Sequence, residues 1–128
     1  FKKKQKKSRI MPTLIACLST GKGTWGHVSH LIEGEPWDKV ILISNEFGKE
    51  NFNKKEKVEI IPVDGEAGLR ELRDEIQGRI KDKITDTEIA VNFVSGTGKE
   101  HMALLSALLK LGLGIRLVAI TKDGIEEI

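Results

Sequence analysis

The sequence is poor in cysteine, proline and aromatic residues. Its 128 residues include one cysteine, three prolines, two tryptophans, four phenylalanines and no tyrosine. Because a disulfide framework needs several cysteines, the single Cys17 excludes one and favours a reducing compartment, so we expect a cytoplasmic protein. No apolar run reaches the roughly 18 residues of a membrane-spanning helix, and we expect no membrane partner. The abundance of lysine and glutamate leans towards a thermophilic source.

Basic charge is also lacking once the first ten residues are set aside. The whole chain has 21 basic and 19 acidic residues, a formal net charge of +2. Six of the basic residues lie within residues 1–10, which contain no acidic residue. The other 15 basic and 19 acidic residues give a net charge of −4, which argues against a globally basic nucleic-acid-binding domain. We therefore expect a flexible or non-native basic tail over residues 1–10 and a single domain over residues 11–128.

What the sequence does contain is an alternation of short apolar runs and amphipathic segments. The unbroken apolar runs are typical of parallel strands that are covered on both faces. A long helix over residues 65–84, with Asp64 as its N-cap, is predicted by the three- or four-residue spacing of Leu69, Leu72, Ile76, Ile80 and Ile84. The whole pattern predicts strands over residues 13–19, 39–44, 58–63, 88–94 and 115–121, helices over residues 24–33, 65–84 and 97–111, a short helix or loop over residues 46–54, and a short antiparallel strand over residues 125–128.

This alternation predicts an α/β fold, a Rossmann-like three-layer sandwich around a mainly parallel sheet. Pro62 lacks the N–H that a central strand donates, so the third strand should lie at an edge. The order 3-2-1-4-5 meets that requirement, with the antiparallel strand added at the C-terminal end. It places strands one and four side by side, where the winding of the chain reverses. Ligands of open α/β sheets bind at this position, outside the carboxyl ends of the strands.

Two glycine-rich loops emerge at that position, and the first follows strand one. Gly21, Gly23 and Gly26 form a Gly-x-Gly-x-x-Gly pattern that opens a helix, where backbone N–H groups can approach an anion. Glu46, after strand two, stands near the position of the ribose acid in dinucleotide enzymes, so binding of NAD(P) or a mononucleotide is an alternative. The ligand-binding candidates in this loop are Ser19, Thr20, Gly21, Lys22, Gly23, Thr24 and Trp25.

The second loop joins strand four to the next helix. Thr97 and Glu100 have the spacing of a capping box, which starts the helix at Gly98 and turns its first N–H groups towards the crevice. Lys99 adds a cation suited to phosphate. Phe93 stands where a Walker A loop has its first glycine, and Glu100 replaces the hydroxyl residue that holds magnesium, so hydrolysis of nucleoside triphosphates is not expected. An ordinary strand-to-helix turn is the alternative. The ligand-binding candidates here are Ser95, Gly96, Thr97, Gly98 and Lys99.

The two loops resemble those of a known family. The sequence Asn92-x-x-Ser95-Gly96-x-Gly98-Lys99, followed by an apolar helix, resembles the fourth-strand motif of the CRISPR-associated Rossmann-fold (CARF) domains. Ser19-Thr20-Gly21 resembles the first ligand loop of that family, and the resemblance extends over residues 11–128. The family commonly has glycine, glycine, threonine and then lysine or arginine, whereas the threonine here is displaced by one position.

The resemblance implies a homodimer that binds a cyclic oligoadenylate, a small RNA-like second messenger of antiviral defence, across its two-fold axis. Such domains act as CRISPR-linked sensors or sinks, and some are ring nucleases that cleave the ring without a metal or cofactor. For cleavage, Lys99 would stabilise charge on the phosphate, Ser19 or Thr20 would orient the ribose 2′-hydroxyl, and His101 would exchange a proton. Duplex nucleic acid is not an expected partner.

Single residues elsewhere allow both a functional and a plain structural interpretation. Trp25 could be a stacking platform for a base or a cover on the core. His27 and His30 could chelate a metal, but no third ligand is evident, so a pair on the helix surface is the better interpretation. Cys17, inside a strand, is expected to be a core residue. Asn92, a polar side chain within a central strand, should be hydrogen-bonded to a neighbouring loop.

The helix over residues 97–111 is apolar nearly all round, which predicts a subunit interface on the side that does not cover the sheet. One functional class that needs no small ligand also stays open. In that class the protein is a structural or regulatory partner subunit, and its loops are rich in glycine only because they turn tightly. The apolar residues of the helix are Met102, Leu104, Leu105, Leu108, Leu109 and Leu111.

Overall fold

The computed structural model describes residues 13–18, 22–52 and 56–128. Within these ranges the chain forms six strands and four helices, numbered here in chain order. The strands are β1 (Thr13–Cys17), β2 (Val40–Ser44), β3 (Val58–Pro62), β4 (Glu88–Asn92), β5 (Gly114–Thr121) and β6 (Gly124–Glu127). The helices are α1 (Trp25–Gly34), α2 (Glu46–Asn51), α3 (Leu69–Ile80) and α4 (Gly98–Lys110). The predicted tail and its boundary lie outside the described residues, so the division of the chain stays a prediction.

The strands form one sheet in the order β3-β2-β1-β4-β5-β6. Strands β1 to β5 run parallel, and β6 pairs antiparallel with β5. The predicted α/β class, the strand order and the antiparallel final strand are therefore confirmed. Pro62 lies opposite Ser44 on β3, which is an edge strand of this sheet. The missing N–H of a proline costs no ladder hydrogen bond there, because none of the described strands pairs with the outer side of β3.

The sheet has an apolar core on each face. Successive side chains of a strand point to opposite faces, so β1 places Ile15 and Cys17 in one core and Leu14 and Ala16 in the other. Helices α3 and α4 cover the first face, while α1 and the end of α2 cover the second. Because both faces are covered, every residue of β1 and β2 is buried, which explains their unbroken apolar sequences.

Helix α3 is shorter than its sequence pattern predicts. It begins at Leu69 with Gly68 at the N-cap position, and it ends at Ile80. The prediction that Asp64 caps this helix is wrong, because its carboxylate accepts the N–H of Glu66 at 2.9 Å and closes a local turn. Burial of each core residue contributes roughly 1.5–3 kcal/mol, which holds the helix against the sheet. Of the predicted apolar stripe, Leu72, Ile76 and Ile80 are fully buried, whereas Leu69 is 42% exposed and Ile84 is partly buried.

The sheet extends beyond its helices at the β5 end. Ile115 packs against the core beneath α3 and α4, and Val118 and Ile120 pack against the opposite core. Leu117, which shares a face with Ile115, is an exposed apolar residue. The side chain of Leu117 is therefore only partly covered on the face that carries α3 and α4. Among the described helices, none has the length and apolar character needed to cross a membrane.

Candidate functional site

The loop between β4 and α4 lies directly on the carboxyl end of β1. Gly96 has a φ of +102°, a backbone conformation that residues with side chains rarely adopt. A Cβ added at this position would lie 2.7 Å from the Cβ of Cys17, the last residue of β1. A glycine is therefore required both by the turn and by the close approach. The loop meets β1 where the strand order reverses, as the order 3-2-1-4-5 predicts.

The capping box at the start of α4 is confirmed. Thr97 Oγ1 accepts the N–H of Glu100 at 3.2 Å, and the Glu100 carboxylate accepts the N–H of Thr97 at 2.9 Å. Helix geometry gives the N–H groups of Gly98 and Lys99 no acceptor within the helix. These donors and the positive end of the helix dipole lie at the carboxyl edge of the sheet, which suits an anion.

Lys99 reaches sideways from α4 towards the loop that precedes α3. Its Nζ donates a hydrogen bond to the carbonyl oxygen of Gly65 at 3.1 Å, and the side chain is exposed. An ammonium group has three hydrogens, so this bond leaves donors for a second acceptor. Lys99 thus places a cation at the carboxyl edge on the α3 side of the sheet. Its contact with phosphate and its part in cleavage stay predictions.

His101 holds the β4–α4 loop from within the first turns of α4. Its Nε2 lies 2.7 Å from the carbonyl oxygen of Ser95, and since a carbonyl only accepts, Nε2 carries the hydrogen. The imidazole ring also packs on Phe93, with 4.8 Å between ring centroids. This geometry makes His101 a residue that positions the loop. Its predicted exchange of a proton with a substrate stays a prediction.

Asn92 joins three elements beneath the site. Its Nδ2 donates to the carbonyl oxygen of Val118 on β5 at 2.9 Å and lies 3.3 Å from Nε2 of His27 on α1. Its Oδ1 accepts the N–H of Val94 at 3.2 Å. The side chain is buried, as a satisfied polar group can be. The expected hydrogen bond to the neighbouring loop is confirmed, and it anchors the start of that loop to the sheet.

Only the second half of the β1–α1 loop is described. The candidates Ser19, Thr20 and Gly21 lie outside the described residues, so their binding and catalytic roles stay predictions. Lys22 and Gly23 are exposed, and Lys22 accepts the N–H of Trp25 on its carbonyl oxygen at 3.2 Å. Thr24 occupies the N-cap position of α1, but its hydroxyl makes no capping hydrogen bond.

Trp25 belongs to the core on the α1 face. It is 8% exposed and packs edge-on against Phe52, with 5.5 Å between ring centroids. Of the two interpretations of Trp25, a stacking platform and a cover on the core, its burial favours the cover on the core. Phe47 on α2 packs against the same indole at 6.1 Å and is 41% exposed. The sequence interpretation missed Phe47, although its position three residues after β2 put it at the same edge of the sheet.

No protein-family model and no curated protein matches this sequence. Among solved structures, 22 chains match it. One of them is Csm6 of Enterococcus italicus bound to cyclic hexa-2'-fluoro-hexa-dAMP, with a TM-score of 0.58 and 16% sequence identity. The match covers 88% of the present chain and 34% of that Csm6 chain, so the present chain spans about a third of its length. The fold is CARF-like.

In the CARF-like fold, the two candidate cations of the site, Lys22 and Lys99, lie on opposite faces of the sheet. Lys22 lies beside α1 and α2, with its Nζ 5.7 Å from the ring centroid of Trp25. Lys99 lies beside α3, where it contacts Gly65. The edge between them is formed by the ends of β1 and β4, over which Gly96 passes. Cations therefore flank this edge from both sides, and the N-terminus of α4 faces it.

Cys17 lies under this edge of the CARF-like fold as a residue of the core. The residue is completely buried, which raises the pKa of its thiol far above the ordinary value of 9.0, and the negative charge of Glu100 raises it further. A thiol with so high a pKa is protonated at neutral pH and is a poor nucleophile. The expectation of a core cysteine is confirmed.

Metal ligands are not gathered at the site. Within the described ranges, no group of three or more histidine, cysteine, aspartate or glutamate side chains is placed to hold a metal ion. His27 is half-buried against Asn92, while His30 is exposed, so the pair divides between an interior contact and the surface.

A wide recess lies at the opposite, amino edge of the sheet. Its volume is about 1020 Å³, and its lining includes Glu33, Glu35 and Glu56 with Lys57. The carboxylates outnumber the single cation, so an anionic ligand would be repelled there. The carboxyl edge, with Lys22 and Lys99, is the better site for a phosphate-bearing ligand.

Proposed function

We propose that this chain binds a cyclic oligoadenylate at the carboxyl edge of its sheet, as a CRISPR-linked sensor or sink of that second messenger. The main support is the match in fold to Csm6, whose structure holds cyclic hexa-2'-fluoro-hexa-dAMP. The sequence adds the Ser95–Gly96–Lys99 loop at the edge where the ligands of open α/β sheets bind.

The chemistry of the edge fits a ring of phosphates. The N-terminus of α4 offers backbone donors and a positive dipole. Lys22 and Lys99 provide a cation from each face of the sheet. Phosphate oxygens accept from both kinds of donor, and such charge-assisted hydrogen bonds are the stronger class.

A second copy of the chain completes the site in this proposal. Lys99 lies on the α3 side of α4, and the neighbouring face of the helix carries Met102, Leu105 and Leu109 at spacings of three and four. Met102 and Leu109 are 62% and 61% exposed, and Leu117 of β5 is 43% exposed on the face of the sheet that this helix covers; these three residues are called the apolar strip. Several exposed apolar residues on one face of a protein are typical of a subunit interface. A two-fold axis along α4 would bring two carboxyl edges together around one ring.

The proposal is tested by thermal unfolding with cyclic tetra-adenylate, cyclic hexa-adenylate, NAD, NADP, FMN and AMP. A ligand that binds only the folded state stabilises it by mass action, by about 2.7 kcal/mol at one hundred times the Kd. We expect one of the two rings to raise the Tm by several degrees. Lys99→Ala should weaken binding of that ring about tenfold or more, because a charge-assisted hydrogen bond is lost. Lys110→Ala, at the far end of the same helix, is the matched control.

Other results would contradict the proposal in distinct ways. Stabilisation by NAD but by neither ring would favour the dinucleotide alternative, and stabilisation by none of the six would favour a partner subunit without a small ligand. Ring cleavage is followed in the same samples with EDTA present. If Lys99→Ala cleaves at the rate of the parent, Lys99 has no catalytic role.

A further inference from the structure

Three aromatic rings form a cluster where the carboxyl edge meets the α1 face. Trp25 is the central ring, with Phe52 edge-on at 5.5 Å and Phe47 tilted by 47° at 6.1 Å. Trp25 and Phe52 are each 8% exposed, so they belong to the core. Phe47 is 41% exposed and lies on the outside of the cluster. It is therefore a rigid ring, packed on one side by Trp25 and open to solvent on another.

A cation already lies over this cluster. The Nζ of Lys22 is 5.9 Å from the centroid of Phe47 and 5.7 Å from that of Trp25. These distances are within the range of cation–π attraction. Lys22 follows the end of β1 and Phe47 follows the end of β2, so adjacent parallel strands bring them to one edge.

We propose that Phe47 and Lys22 form a base-binding subsite, in which a purine stacks on Phe47 and Lys22 binds the adjoining phosphate. The two groups of a nucleotide match the two groups of the subsite, since an aromatic face binds a base and an ammonium binds a phosphate. The base would take the place of Lys22 over the exposed ring, and the flexible lysine would turn to the phosphate. This inference rests on the proposed function and names the residue that recognises a base within it.

Trp25 has the complementary role of a support. Its indole is too buried to receive a base, but its contact with Phe47 fixes the angle of the exposed ring. A ring held by a core residue loses little conformational freedom when a base stacks on it, which favours affinity. The stacking surface of the proposed subsite is therefore the exposed Phe47, which packs on the outside of Trp25, and not Trp25 itself, which the sequence suggested.

The test compares the affinity of cyclic hexa-adenylate and cyclic tetra-adenylate for the parent and for Phe47→Leu and Phe47→Trp. Leucine keeps apolar bulk but has no aromatic face, so we expect a loss of roughly five- to hundredfold for whichever ring the parent binds. Tryptophan should retain the affinity. Leu69→Ala is the matched control, because Leu69 is 42% exposed and lies at the start of α3 on the opposite face.

The outcomes separate this inference from the proposed function. If the parent and Phe47→Leu bind a ring with equal affinity, the base-binding subsite is overturned and the proposal of ring binding is unaffected. A parent that binds neither ring overturns both. Should Phe47→Leu fail to fold, the Trp37→Phe variant decides, since Trp25 is then the sole tryptophan. Saturating ring should change its emission, because Lys22 leaves the cluster, and unchanged emission would overturn the subsite.

Discussion

At the scale of single residues, the site depends on the absence of a side chain at one position. Gly96 brings the β4–α4 loop into contact with Cys17, and His101 and Glu100 pack close to the same glycine. A Cβ there would meet Cys17 Cβ at 2.7 Å, Glu100 Oε1 at 3.0 Å and His101 Nε2 at 3.1 Å. The loop, the capping box and the imidazole contact are thus one packed unit.

Gly96→Ala should destabilise the fold and displace the loop. The left-handed backbone conformation costs a residue with a Cβ about 1–3 kcal/mol, and the overlap with the buried Cys17 adds to this cost. We expect a loss of at least about 2 kcal/mol in the free energy of unfolding, measured by urea denaturation.

Gly98→Ala is the control for this prediction. A Cβ at Gly98 would have nothing within 4 Å, and the residue lies in the first turn of α4. Alanine has the higher helix propensity, so this variant should be as stable as the parent or slightly more so. Equal destabilisation by the two substitutions would show that neither the backbone conformation nor the contact with Cys17 matters.

At the scale of elements, α4 connects the proposed ligand-binding edge to the proposed interface. Its first turn carries the capping box, and its buried face packs on the sheet. The flank with Met102 and Leu109 remains exposed in one copy of the chain. One helix therefore has three different surfaces, which explains why it is apolar almost all round.

Thr97→Ala should weaken the start of α4 without changing the core. Loss of the N-cap hydroxyl removes the acceptor for the N–H of Glu100, at a cost of about 1 kcal/mol in the free energy of unfolding. Thr97→Ser keeps the acceptor and should remain within a few tenths of a kcal/mol of the parent. Thr87→Ala, in the exposed segment before β4, controls for the loss of a threonine. A parent-like stability for Thr97→Ala would contradict the role of the cap.

At the scale of the whole molecule, the sheet is broader than its helical layers. The apolar strip of Met102, Leu109 and Leu117 is exposed within the described part of the chain. A second copy related by a two-fold axis would bury the same strip on both chains, since such an interface is self-complementary.

The parent is expected to sediment as a dimer at micromolar concentration. Leu109→Glu would place a carboxylate in the apolar strip, and an unpaired buried charge costs about 3–5 kcal/mol, so the dimer Kd should rise at least about a hundredfold. Leu69→Glu, which changes an exposed leucine on α3, should leave the dimer intact. A parent that sediments as a monomer would contradict the two-fold site.

Sequence periodicity was sufficient to predict the architecture. The apolar runs at β1 and β2 are buried on both faces, Pro62 marks the edge strand, and the Thr97/Glu100 spacing marks the start of α4. These signals are local, because strand alternation and helix caps involve residues within a few positions of each other, and the missing N–H belongs to the proline itself.

The sequence by itself determined the α/β class, the strand order and the edge of the sheet at which the site is proposed. Only the tertiary structure decided which side chains face that edge. Trp25 and Phe47 are both aromatic residues after strands, yet packing against Phe52 buries the first and leaves the second exposed. The turn at Asp64 likewise delays α3 through a side-chain hydrogen bond. Exposure and such contacts depend on neighbours that are distant in sequence, which no local pattern contains.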